Sequence, residues 1–222
     1  AGADIVDGGA GTDTISFERA STAATFAMGD QSTDVTIAQS GFTNTGSTAK
    51  GFENIVGSPH NDTLTGDSAV NDIEGGAGDD TIKGEAGNDT LDGNAGNDNI
   101  DGGAGDDRVY ISAGVDTIKG GDGSDWMDFS RVATAQPSTG IGNAVIATIN
   151  GAIHQNGFDS NTTGSAYVAA DNVSTFENMQ GSDFVDELWG DAFANIINGG
   201  DGSDSLYGND GNDKLMGEEG VD

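Results

Sequence analysis

From Gly57 to Asp128 the chain divides without remainder into eight segments of nine residues. From Gly75 they read GGAGDDTIK, GEAGNDTLD, GNAGNDNID, GGAGDDRVY, ISAGVDTIK and GGDGSDWMD, preceded by two looser copies, GSPHNDTLT and GDSAVNDIE. The frame returns at Gly181 as GSDFVDELW, GDAFANIIN, GGDGSDSLY, GNDGNDKLM and GEEGVD, and it stands near the start as GGAGTDTIS from Gly8. A fixed short period decides the architecture before any residue is weighed singly. Each unit is too small to bury its own apolar side and must stack on its neighbours.

Within each unit the Gly-rich opening lets the backbone reach positive φ, so the first six positions predict a tight turn with carbonyls free to point inward. The last three predict a short strand. Its central residue, seen in Ile82, Leu91, Ile100, Val109, Ile118 and Met127, faces one side while its neighbours are mostly polar, as a period of two requires. Two units with opposed strands make one coil of 18 residues. Coils stacked at ~4.8 Å would set the sixth-position acids of successive turns into columns.

Composition states the difficulty with such columns. The chain has 38 acidic residues against 7 basic ones, a formal charge of −31, with only 34% apolar and 6% aromatic residues. A thin core cannot hold that much like charge together unless cations neutralise it. The same deficit of Lys and Arg excludes most nucleic-acid binding. With no cysteine and only two histidines, a metal must be held by oxygen. Calcium fits best: it accepts six to eight oxygens in flexible geometry, whereas magnesium keeps its waters and zinc wants nitrogen or sulfur. No EF-hand loop of the D-x-[DN]-x-[DN]-G-x₅-E kind occurs.

These repeats resemble the repeats-in-toxin (RTX) family of secreted bacterial proteins, whose G-G-x-G-x-D-x-U-x nonapeptides bind calcium. The resemblance implies an all-β, right-handed parallel β-roll with each calcium between turns one coil apart. It also implies ligands: the second and fourth carbonyls and the aspartate of one turn, and the first and third carbonyls and the aspartate of the next. Carried onto this sequence, Gly76, Gly78 and Asp80 face Gly93, Ala95 and Asp98, and on the other edge Glu85, Gly87 and Asp89 face Gly102, Ala104 and Asp107. Likewise Asn94, Gly96 and Asp98 face Ile111, Ala113 and Asp116, while Gly103, Gly105 and Asp107 face Gly120, Asp122 and Asp125. In the last block Gly200, Gly202 and Asp204 face Gly217, Glu219 and Asp222. Asp13, Asp62, Asp186 and Asp213 are further candidate ligands in outlying turns. Weaker occupancy is expected where His60, Val70 and Ile111 disturb glycine positions and where Asn71 and Asn195 replace aspartate.

Two stretches break the frame, giving five expected segments: the end of a repeat block at 1–16, a β-rich insert at 17–56, a roll of eight nonapeptides at 57–128, a longer β-rich insert at 129–180, and a second, truncated roll at 181–222. The inserts share flanks. DTISFERA at Asp13 matches DWMDFSRV at Asp125, and GFENIVGS at Gly51 matches TFENMQGS at Thr175, so the chain repeats a larger unit. The inserts are expected to continue the parallel stack with longer rungs, and Phe17, Phe52, Phe129 and Phe176 to plug the ends of the roll core.

His60 and His154 have no partnering pattern, and Arg19 and Arg131 read as local ion-pair partners among many carboxylates. Trp126 and Trp189 flank aliphatic strand positions and read as partly buried. No nucleophile elbow or P-loop occurs, so no catalytic residue is assigned. No apolar run is long enough to span a membrane, and no basic segment followed by an apolar stretch stands at the start, so any targeting signal is expected outside this sequence. The repeat pattern reaches both ends, so the chain reads as part of something longer. The reading is a calcium-folded structural module of a large secreted or cell-surface bacterial protein of adhesin, surface-layer or matrix type, with neighbouring copies or matrix glycans as candidate partners. Its alternatives are the export and folding tail of a secreted protease, lipase or polysaccharide epimerase, and a calcium-dependent carbohydrate-binding module.

Overall fold

The computed structural model of the protein describes residues 5–28, 35–36, 38–39, 48–112, 114–131, 145–148, 152–155, 171–220 and 222. Among these, every regular element is a strand. Ala113, part of the first insert and most of the second lie outside the described residues.

The nine-residue period becomes two facing sheets. One face is a continuous sheet of nine parallel strands: Thr14–Ser16, Asn54–Val56, Asp72–Ala77, Thr90–Ala95, Arg108–Tyr110, Trp126–Asp128, Asn178–Gln180, Ile196–Asn198 and Lys214–Met216. The opposite face carries the alternate units, among them Thr63–Thr65, Thr81–Ala86, Asn99–Ala104 and Thr117–Asp122. Register is constant within the repeat blocks. Thr81 pairs with Asn99 and Asn99 with Thr117, each step being 18 residues, and Thr90 pairs with Arg108 at the same interval. The predicted parallel roll of 18-residue coils is what forms.

Because side chains alternate along a strand, each coil contributes one aliphatic residue per face to a narrow core. Ile55, Ile73, Leu91, Val109, Met127, Met179 and Ile197 line one side, and Leu64, Ile82, Ile100, Ile118 and Leu188 the other, all essentially inaccessible to solvent. Among the described residues, Ile15, Ile111, the insert residues Ala24, Phe26 and Met28, and Phe17, Phe52, Phe129 and Phe176 complete this core.

The inserts depart from the expected purely parallel continuation. Ala24–Ala27 and Asp171–Ser174 do join the roll as parallel rungs on Thr63–Thr65 and Thr117–Asp122. Beside them lie antiparallel strands: Ala38–Gln39 on Ala24–Ala27, and the pair Val145–Thr148 and Ala152–Gln155, of which the second lies antiparallel on Asp171–Ser174. Only residues 149–151 join that pair, too few for the crossover a parallel connection needs. Among the described residues these antiparallel strands join one face only. On the other face Trp126–Asp128 pairs directly with Asn178–Gln180, and Thr14–Ser16 with Asn54–Val56. The two repeat blocks are therefore one stack. Phe129 and Phe176 lie fully buried inside its continuous core instead of plugging free ends, and Phe17 packs on Phe26 with ring centroids 5.7 Å apart.

Candidate metal centre

Constant register delivers every sixth-position side chain to one of two edges. One column runs Asp13, Glu53, Asn71, Asp89, Asp107, Asp125, Glu177, Asn195, Asp213. The other holds Asp62, Asp80, Asp98 and Asp116 and, past the second insert, Asp186, Asp204 and Asp222.

One hydrogen bond, repeated, fixes these side chains. The backbone N–H of each sixth residue donates to Oδ1 of the one 18 residues later: Asp62 to Asp80 at 2.7 Å, Asp80 to Asp98 at 2.8 Å, Asp98 to Asp116 at 2.9 Å, Asp89 to Asp107 at 2.8 Å and Asp107 to Asp125 at 2.9 Å. That bond uses one carboxylate oxygen. The second, Oδ2, is buried without a hydrogen-bond partner among the described residues in Asp13, Asp80, Asp89, Asp98, Asp107, Asp125 and Asp204. An unpartnered buried polar atom is expensive, and an unpartnered buried charge more so. The column thus presents a series of oriented oxygens that no donor among the described residues satisfies.

The backbone supplies the other oxygens. Second-position residues of these turns sit in the left-handed region, including the non-glycines Glu85 at φ 77°, Asn94 at 65° and Asn209 at 67°. Fourth positions need glycine for a further reason. A Cβ on Gly96 or Gly105 would collide with the carbonyl oxygen of Gly78 or Gly87, so carbonyls of one coil lie directly against the next. The metal-binding groups these turns offer are carboxylate and carbonyl oxygens, a donor set suited to calcium. Among the described residues no group of three or more His, Cys, Asp or Glu could hold a metal, which leaves carbonyls as the majority donors.

Removal from water is the main influence on these acids. Burial, reinforced by neighbouring carboxylates and opposed by the backbone hydrogen bond, pushes the Asp80 and Asp89 carboxyls up to about 7. It pushes Asp125 up to about 6. Asp98, Asp107 and Asp204 are raised for the same reason. Without a cation, the columns resist carrying full charge.

The candidate ligand sets are brought together largely as paired. Gly76 lies in register with Asn94, Glu85 with Gly103, and Gly103 with Gly121, which stacks the turns holding Gly78, Gly87, Gly93, Gly102, Gly105 and Gly120. The third-position carbonyls of Ala95, Ala104 and Asp122 already accept the N–H groups of Gly78, Gly87 and Gly105 at 2.8 to 2.9 Å, leaving each a second lone pair. Around Gly200, Gly202 and Asp204, a bridge from Asp201 to Glu219 and the Asp204 to Asp222 hydrogen bond at 3.0 Å keep the pattern. Ile111 turns its side chain into the core, and Asp213 accepts from the N–H of Asn195 at 3.0 Å.

Turns after the inserts are different. The Asp62 carboxylate takes the N–H of Ala24 at 2.5 Å, the Ser58 hydroxyl at 2.8 Å and the Ser58 N–H. Asp186 takes the N–H and hydroxyl of Ser182 at 2.7 and 2.9 Å. Asn71 and Asn195 each accept an N–H within their own turn and donate Nδ2 to the carbonyls of Glu53 and Glu177 at 3.2 and 3.0 Å. Here protein donors do what a cation would do elsewhere. Sequence reasoning missed Ser58, Ser182, Glu53 and Glu177, although the matched flanks FEN and GS carried the signal.

Elsewhere, Arg131 pairs with Asp92 at 2.8 Å and lies over the Tyr110 ring, as a local ion-pair partner should. Trp126 lies beneath the Arg108 guanidinium, and Trp189 stacks on Tyr207 with centroids 5.2 Å apart.

The family model for the RTX calcium-binding nonapeptide repeat (4 copies) matches residues 1–18, 49–82, 74–109, 83–118, 112–131 and 180–222, more than half of the chain. No curated protein matches it.

Proposed function

The chain belongs to the RTX calcium-binding nonapeptide repeat family, and from that membership we propose that it is a calcium-folded spacer or matrix-forming module of a large secreted protein of adhesin or surface-layer type. Repeats of this family bind several calcium ions per domain and are typically secreted, and no catalytic family is indicated here. Among the described residues no helix is long and apolar enough to cross a membrane.

In this proposal the ions occupy the turns ending at Asp80, Asp89, Asp98, Asp107 and Asp204, whose buried Oδ2 has no partner among the described residues and which a repeat turn follows one coil on. The carbonyls of their second and fourth positions and of the first and third positions one coil on complete each set. The turns ending at Asp62, Asn71, Asp186 and Asn195 stay empty because serine and asparagine already satisfy them. The single supporting observation is the run of buried, oriented carboxylate oxygens without partners among the described residues. The two inserts splice into one stack, which suits an extended array better than a compact tail.

When bound, calcium supplies charge neutralisation and coordination, and its binding free energy becomes folding free energy. The residues do the rest: the N–H ladder aims each carboxylate and glycine lets the turns nest. Before export, in low calcium, repulsion between columns leaves the chain unfolded and threadable. Circular dichroism during a calcium titration tests this. A cooperative gain of β-signal that EDTA reverses is expected, and full β-structure in EDTA would contradict it. A carbohydrate-binding reading draws on the Trp189–Tyr207 stack and would show as calcium-dependent glycan retention.

A further inference from the structure

We propose that each insert junction holds an additional calcium ion, between the turn 8–13 and Gly51–Glu53 and between the turn 120–125 and Thr175–Glu177, with a glutamate in place of the repeat aspartate. This rests on the reading that the regular turns bind calcium. No nonapeptide is present on the far side of either site, so the repeat pattern does not assign them.

Register places the glutamates. Thr14 pairs with Asn54 and Trp126 with Asn178, so Glu53 and Glu177 each stand one residue before the strand, where a repeat has its aspartate. On the other flank Asp7 pairs with Lys50 and Lys119 with Ser174, which puts Gly51 and Thr175 opposite Gly8 and Gly120, the first turn position. Three residues therefore span what six span in a repeat. Glutamate, one methylene longer than the repeat aspartate, accepts the same column N–H from this shorter turn.

The hydrogen bonding is that of the regular ladder. Asp13 N–H donates to Glu53 Oε2 and Asp125 N–H to Glu177 Oε2, both at 2.8 Å, as Asp107 N–H does to Asp125 Oδ1 at 2.9 Å. Both shortened turns open in the left-handed region, Gly51 at φ 68° and Thr175 at 57°. That conformation is rare for a β-branched residue and is kept in both copies. The carbonyl oxygens of Gly51 and Thr175 press against Gly8 and Gly120 so closely that a Cβ at either glycine would collide with them. They thus take the place of the first-position carbonyl of a following repeat.

What points to a ligand is the opposite wall. Asp125 is fully buried, with 0% of its surface exposed, and its Oδ2 has no partner among the described residues. Oδ2 of Asp13 is buried too and has no partner among the described residues. Together with the carboxylates of Glu53 and Glu177 and the nearby carbonyls, each offers a cation two acidic side chains and several neutral oxygens, a hard-cation set. Phe52 and Phe176, between the turn residue and the glutamate, are buried in the core and anchor the short turn.

Native mass spectrometry of the folded, calcium-loaded chain decides this, read with the calcium midpoint of folding. Glu53→Gln and Glu177→Gln keep an acceptor for the Asp13 and Asp125 N–H groups while removing the charge. Each single variant should carry one ion fewer than the parent and the double variant two, with a midpoint raised several-fold. A variant that folds only at higher calcium also supports the sites. Parental ion counts and midpoints in both variants would overturn the proposal, as would variants that no calcium concentration folds, since the glutamates would then act structurally. A parent chain that binds no calcium would instead overturn the underlying reading of the regular turns.

Discussion

The backbone N–H of Asp80 donates to Oδ1 of Asp98 at 2.8 Å, joining two acids 18 residues apart in sequence and one coil apart in space. That bond explains why the columns exist at all. Asp80, Asp89, Asp98, Asp107, Asp125 and Asp204 are each oriented by the peptide N–H one coil earlier, so Oδ1 is satisfied while Oδ2 is buried without a partner among the described residues. A chain with so little apolar surface gains order from this arrangement only when something else satisfies the second oxygen.

Replacing Asp98 with asparagine keeps the acceptor for Asp80 N–H and removes the charge. The calcium midpoint should rise about tenfold, which corresponds to ~1.4 kcal/mol. The calcium-loaded chain should lose at least one ion, measured by native mass spectrometry. An unchanged midpoint would place calcium elsewhere.

Asp62→Asn and Asp186→Asn should leave the ion count untouched, because Ser58 and Ser182 already satisfy those carboxylates. Loss of an ion from either variant would show that the serine-closed turns are occupied after all.

Acid should stabilise the calcium-free chain. Burial raises Asp80 and Asp89 to about 7 and Asp125 to about 6 in the folded state, against an ordinary value of 3.8. Between those limits the folded chain holds more protons than the unfolded one, so its stability falls as pH rises. In EDTA, β-signal should therefore grow as pH drops from 8 to 5, and the increment that calcium adds should shrink. A calcium-free signal that weakens on acidification would reverse the sign of the argument.

Core truncation separates the stack from its edges. Ile100→Ala removes a residue 1% exposed and should cost about 2 to 5 kcal/mol in urea melts at saturating calcium. Leu215, 44% exposed on the last strand, should cost much less as alanine. Equal losses would mean that the coils do not share one core.

The period made the roll legible. Residues such as Ile82 and Asp80 recur at an interval that admits one stacking, so strands, core and columns could be read from spacing alone. The inserts were not legible in the same way. Strands joined by only three residues, as Val145–Thr148 and Ala152–Gln155 are, pair antiparallel by chain geometry, and no period announces them. At the site, a frame built on aspartate at position six passes over Glu53 and Glu177, whose role depends on a turn shortened by three residues. It also passes over Ser58 and Ser182, whose hydroxyls matter only once the turn geometry aims them at Asp62 and Asp186.

Anomalous diffraction from crystals grown with calcium and without chelator tests the central claim most directly. Peaks should appear beside Oδ2 of Asp80, Asp89, Asp98, Asp107 and Asp125, with none at Asn71 or Asn195. A well-ordered roll whose acid columns show no anomalous density would contradict the account.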